Sequence, residues 1–184
     1  QTASPDLLAK QPLPDFVLGK ADAPVTIIEY ASMTCSHCAA FAKTTFPKLK
    51  SSYIDTGKVR YVLREFPLDN LAAAVFLLAR KVAGSDAARY YALVDLFFHT
   101  QDEWAVRNPV EPLKKVAKQA GITDEQFETA INDPALLKGM EEVREQGVKL
   151  GVNATPTFFI NGTKASGAIG FEEMEKLLAP LIKS

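Results

Sequence analysis

The 184-residue sequence predicts an α/β fold in which a strand–helix–strand unit and a strand–strand–helix unit are separated by an all-helical block. Three features carry that expectation. β-rich runs at residues 25–31 and 58–66 flank a helical stretch. From residue 69 to 150 the apolar residues recur at helical rather than alternating spacing. Beyond residue 150, two short β-rich runs bracket Asn161-Gly162, and an amphipathic stretch closes the chain.

Residues 1–14 are polar and broken by prolines, so a loose arm is expected. Asp15-Phe16-Val17-Leu18 reads as a short edge strand closed by Gly19. Residues 25–31, entered after Pro24, are apolar enough for a central strand. One long helix is expected from residue 36 to about residue 56, ended by Gly57, with a kink at Pro47. Residues 58–66 then form a second strand with Val59, Tyr61 and Leu63 on one face. Connections this short imply a right-handed parallel unit.

In the helical block, Tyr90, Leu93, Val94 and Phe97 keep helical spacing, as do Leu113, Val116, Ala117 and Ala120. Thr123 with Gln126 forms a capping box, and Asp133-Pro134 supplies an N-cap followed by a proline at the first helical position. Asn161-Gly162 is a tight hairpin turn between residues 157–160 and 163–166, and residues 171–182 are helical. The expected organisation is an arm (1–14), an α/β domain (15–68 and 151–184) and a helical insertion subdomain (69–150).

Composition narrows the function classes. Hydrophobic residues make up 47% and charged ones 23%, enough to bury a real core. Lys+Arg 21 against Asp+Glu 22 leaves a net charge of -1, so no basic field favours nucleic acid. The longest apolar run, residues 71–79, ends at Arg80 and is too short to span a bilayer. Residues 1–20 lack the basic start and apolar block of a signal peptide. Gln1 in place of Met leads us to expect a processed chain, compatible with export.

Cys35-Ser36-His37-Cys38 holds the only two cysteines of the sequence. It falls where a strand pattern gives way to a helix pattern, which places Cys35 at a helix N-terminus. Unpaired N–H groups and the helix dipole favour an anion there, and a thiolate is the species that attacks disulfides. Zinc would need about four ligands, and only His37 and His99 remain to join the cysteines. No metal or other cofactor is therefore expected. A purely structural disulfide would close too small a loop to stabilise much, and inert buried thiols fit poorly with polar Ser36-His37 between them. A reactive dithiol/disulfide centre is the expectation.

Two segments give the chain a family resemblance: Glu29-Tyr30-Ala31-Ser32-Met33-Thr34-Cys35-Ser36-His37-Cys38 and Gly151-Val152-Asn153-Ala154-Thr155-Pro156-Thr157-Phe158-Phe159-Ile160-Asn161-Gly162. In this order, with helices between them, they resemble the thioredoxin superfamily, and within it the DsbA-like thiol:disulfide interchange proteins of bacterial cell envelopes. The resemblance implies a thioredoxin fold, βαβ then ββα, with the helical block inserted. It implies Cys35 as the exposed nucleophile and Cys38 as the buried resolving thiol. His37 takes the place of a family histidine that would stabilise the Cys35 thiolate. Glu29 becomes a candidate proton acceptor for Cys38, and Pro156 a cis-proline facing the cysteines. Ser36, Thr155 and Pro156 are the expected substrate-contacting positions.

The implied activity is donation of the Cys35–Cys38 disulfide to reduced or unfolded exported polypeptides, by a periplasmic monomer reoxidised by a membrane redox partner. Thr155 before the proline also occurs in isomerases and reductases of the superfamily. A disulfide isomerase or reductase, or an envelope chaperone or metal-thiolate binding module, remains the alternative.

Overall fold

The structure is a computed structural model and describes residue 7 and residues 9–182. Of the arm expected over 1–14, residues 1–6 and 8 lie outside the described residues. Among the described residues, five strands form one sheet: β1 (Val17–Leu18), β2 (Val25–Ala31), β3 (Val59–Glu65), β4 (Thr157–Ile160) and β5 (Thr163–Ser166), in the order β1-β3-β2-β4-β5. β2 and β3 are parallel and the other pairs antiparallel. The α/β fold with a thioredoxin-like sheet is thus as the sequence predicts.

β2 is buried along its whole length because both faces of the sheet are covered. Side chains alternate between faces in a strand. Ile27 and Ala31 join the larger core, whereas Ile28 and Tyr30 join a second cluster with Leu7, Val62, Phe66, Val152 and Phe159. Glu29 shares the parity of Ile27 and Ala31, and so faces the larger core. Asn161 sits at φ 46 and Gly162 at φ 88, the left-handed pair a two-residue hairpin needs. The Asn161 Oδ1 accepts the Thr26 N–H at 2.8 Å, tying the hairpin to β2.

One sequence expectation is corrected. Instead of a single kinked helix over 36–56, the chain forms α1 (Ser36–Thr44), α2 (Phe46–Leu49) and a π-helical turn (Lys50–Ile54). Pro47 cannot donate an N–H backwards and crowds the preceding turn, so the α1 ladder stops at Thr45. Pro47 then lies in the first turn of α2, where its missing N–H is harmless. The Thr45 hydroxyl, buried at this break, donates to the Ile169 carbonyl at 2.8 Å.

Between β3 and β4 run α3 (Asn70–Ala83), α4 (Ala87–His99), α5 (Gln101–Trp104), α6 (Val110–Gln119), α7 (Asp124–Ile131) and α8 (Pro134–Lys149), and α9 (Phe171–Ile182) follows β5. The capping box at Thr123 and the Asp133 N-cap form as predicted. Buried polar groups join these helices to the sheet. The Glu65 carboxylate is fully buried and accepts from Arg80 Nε at 2.7 Å, Arg80 Nη2 at 3.1 Å and the Tyr90 hydroxyl at 2.6 Å. The Tyr91 hydroxyl accepts the Leu63 N–H at 2.8 Å and donates to the Phe16 carbonyl at 2.7 Å, satisfying β3 beyond the end of β1. On the opposite face α8 crosses the sheet closely at Gly147, where a Cβ would stand 2.9 Å from Tyr30 Cε1.

Candidate functional site: the Cys35–Cys38 redox centre

The C-terminal end of β2 delivers the chain to α1 through Ser32, Met33 and Thr34. That loop is held on several sides. The Cys35 N–H donates to the Ser32 carbonyl at 3.1 Å. The Ser32 hydroxyl accepts the Leu68 N–H at 3.2 Å, and Thr34 Oγ1 donates to Asp69 at 3.0 Å. The other Asp69 oxygen accepts the Ala72 N–H at 2.8 Å and so caps α3. Gln101, from α5, donates to the carbonyls of Met33 and Cys35 at 2.7 and 3.0 Å.

Cys35 is the N-cap of α1, and its sulfur accepts the Cys38 N–H at 3.4 Å. Both cysteines are free thiols; Cys35 keeps 9% of its surface exposed and Cys38 none. The Cys38 thiol is the strongest influence on Cys35 and stabilises its thiolate. Partial burial opposes this, while the Thr155 hydroxyl and the N–H groups of Cys38 and His37 reinforce it, and the Cys35 pKa is lowered to about 5. Burial pushes Cys38 far the other way, with the Cys35 sulfur holding its proton and the Glu29 charge adding to the effect. Two thiols three positions apart thus differ sharply in acidity.

Glu29 is 2% exposed, and its Oε1 accepts the hydroxyl hydrogen bond of Tyr61, while Oε2 has no partner. Burial raises its pKa to about 8, the Tyr61 bond pulling it down and the Cys35 charge pushing it up. It is a buried carboxyl within electrostatic reach of Cys38. Thr155 and Pro156 arrive from the loop before β4. The peptide bond between them is cis, and the Cys35 thiol donates to the Thr155 carbonyl at 3.4 Å. Thr155 Oγ1 is buried and makes no hydrogen bond in the thiol form.

The structure therefore brings Cys35, Cys38, Glu29, Thr155 and Pro156 to one end of the sheet. Ser36 and His37 lie exposed in the first turn of α1, and the backbone N–H of His37 is the group that acts on the sulfur. Trp104 is core, with Nε1 donating to the Phe97 carbonyl at 3.0 Å. Sequence reasoning missed Tyr61 as the partner of Glu29, and Asp69 and Gln101 as supports of the loop. The shared parity of residues 29 and 61 on paired strands was a signal for Tyr61, and Asp69 just before a helical run was one for a cap. Gln101 carried none. Among the described residues, no cluster of three or more His, Cys, Asp or Glu side chains is placed to hold a metal ion.

Comparison with known proteins identifies the family. The family model described as Thioredoxin matches residues 12–179. A putative protein-disulfide oxidoreductase of Rickettsia bellii is 34% identical over 155 residues, covering 82% of this chain and 58% of that protein. The chain thus spans little more than half the length of that relative. The crystal structure of alpha-DsbA1 from Wolbachia pipientis is 30% identical with a TM-score of 0.87, over 97% of this chain and 95% of that one. BdbD from Bacillus subtilis, 23% identical with a TM-score of 0.80 over 92% and 94% of the two chains, shares the fold. With the family model matching nearly end to end and these neighbours superposing over almost the whole chain, the protein belongs to the thioredoxin family, as a DsbA-like member of it.

Proposed function

We propose that this chain is a protein thiol:disulfide oxidoreductase that works as an oxidant, donating a Cys35–Cys38 disulfide to reduced, cysteine-containing polypeptides outside the cytoplasm. The observation that carries the reading is the opposed acidity of the two thiols, Cys35 lowered to about 5 and Cys38 raised. A substrate thiolate attacks the Cys35 sulfur of the disulfide, forming a mixed disulfide and breaking the bond to Cys38. Cys38 leaves with the electron pair and takes a proton, for which Glu29, its pKa raised to about 8, is the nearby buried source at neutral pH. A second substrate thiolate then attacks the substrate sulfur, and Cys35 departs as a stabilised thiolate. The substrate loses two electrons, and the cysteine pair gains them.

A stabilised leaving thiolate favours the reduced protein, and hence an oxidising disulfide. That favours the oxidant over a reductase or isomerase. Thr155 and Pro156, beside the sulfur, would align an extended substrate segment, with Ser36 and His37 on the exposed rim. Catalytic turnover in this direction requires a reoxidant, for which a membrane-bound partner is the proposal. Every group used lies in one chain, so a monomer suffices. Among the described residues no helix is long and apolar enough to cross a membrane.

Mixing the oxidised protein with reduced, unfolded ribonuclease tests the reading. Transfer of one disulfide per protein, lost in both Cys35→Ser and Cys38→Ser because neither variant can carry the Cys35–Cys38 disulfide, is the expected result. No transfer from the parent protein would exclude the oxidant.

A further inference from the structure

Gln101 opens α5, 66 positions beyond Cys35, yet its side-chain amide reaches the redox loop. Nε2 donates to the Met33 carbonyl at 2.7 Å and to the Cys35 carbonyl at 3.0 Å. An amide nitrogen carries two hydrogens, so both are committed here. The two peptide groups it grips border Thr34 and Cys35 and so limit the backbone torsions of both. Those torsions decide whether the Cys35 sulfur stays beneath the Cys38 N–H. The Cys35 carbonyl also accepts the Ala39 N–H at 3.1 Å, which makes Gln101 a second hold on the carbonyl that starts α1.

Gln101 is itself presented on a fixed base. The Thr100 hydroxyl donates to the Leu96 carbonyl at 2.8 Å, and Trp104 is fully buried with its indole N–H on the Phe97 carbonyl. Met33 is fully buried as well, so solvent has little access to replace the amide at its carbonyl.

We propose that Gln101 is a positioning residue of the redox centre, through which the helical block holds the Cys35 sulfur under the first N–H groups of α1 and thereby sets its acidity and oxidising power. This deepens the oxidoreductase reading and rests on it. Its test is a difference between variants and the parent chain, so the two fail separately.

Gln101→Met keeps the length of the side chain and removes its donors; Gln101→Glu keeps the shape and turns an acceptor toward the two carbonyls. In each reduced protein the Cys35 midpoint is read from ultraviolet thiolate absorbance, and the redox equilibrium is measured against glutathione. For Gln101→Met the midpoint rises by about one pKa unit, and the equilibrium moves about tenfold toward the oxidised protein. Gln101→Glu shifts both further, because its charge also opposes the thiolate. Should the variants melt at lower temperature while the midpoint stays within about 0.2 unit and the equilibrium within about twofold of the parent, the residue merely fills space and the proposal is wrong. An ordinary Cys35 midpoint in the parent chain would instead overturn the oxidant reading, whatever the variants show.

Discussion

The Cys35 sulfur lies 3.4 Å from the carbonyl oxygen of Thr155, 120 positions later in the chain. In the protonated state that carbonyl accepts the thiol hydrogen. Once the sulfur ionises, the same oxygen becomes an unfavourable neighbour, and the Thr155 hydroxyl, otherwise without a partner, becomes a donor. One residue thus responds to both protonation states of the Cys35 sulfur.

Thr155→Val should separate stability from chemistry. It removes a buried hydroxyl that has no hydrogen bond in the thiol form, a group that costs about 1–3 kcal/mol to bury unsatisfied. Thermal unfolding of the reduced protein at pH 4, where Cys35 is a thiol, should therefore show a variant at least as stable as the parent, while its Cys35 midpoint moves up from about 5. A destabilised variant with an unchanged midpoint would contradict this.

Glu29 gives a pH signature that can be read on the reduced protein. Burial raises its folded pKa to about 8 from an ordinary 4.5, so folding favours the protonated form. Its contribution is fully present below pH 4.5 and is lost as pH rises through 8. Glu29→Gln, which can still accept from Tyr61, avoids that loss. Denaturant unfolding should show it gaining on the order of 2–3 kcal/mol over the parent at pH 7 and more at pH 9, with the gain vanishing near pH 4.

Cys35 carries the opposite sign. Its folded pKa, about 5, lies below the ordinary thiol value of 9, so its stabilisation is complete above pH 9 and lost as pH falls through 5. The reduced protein should exceed the oxidised one in stability by about 3 kcal/mol more at pH 7 than at pH 4. Urea titrations of both redox forms at the two pH values check this.

Gly147→Ala tests the packing of α8 on the sheet. Alanine is the better helix former by about 1 kcal/mol, yet its methyl would stand 2.9 Å and 3.1 Å from two Tyr30 ring carbons. Tyr30 is fully buried and its hydroxyl accepts from Arg64 at 3.0 Å, so the ring has little room to yield. Overpacking should dominate, with a loss of about 1–3 kcal/mol on unfolding.

Most of the fold was legible because its signals are local. The Thr123–Gln126 box, the Asp133 cap and the Asn161-Gly162 turn each act within four residues. Pro47 was recognised as a disruption, but whether a proline kinks one helix or opens a new one depends on partners for the freed groups. Here the helix breaks, and the Thr45 hydroxyl at the break reaches the Ile169 carbonyl, 124 positions away. The cysteines and Thr155-Pro156 were visible as motifs. Tyr61, Asp69 and Gln101 act through contacts spanning 32 to 68 positions, which no local pattern encodes.

The reduction potential of the Cys35/Cys38 couple, measured against glutathione buffers, tests the stabilised Cys35 thiolate most directly. A potential well above that of thioredoxin, toward about −120 mV, is the predicted result. A value near about −270 mV would show that the sulfur gains little from its surroundings and would contradict the oxidant.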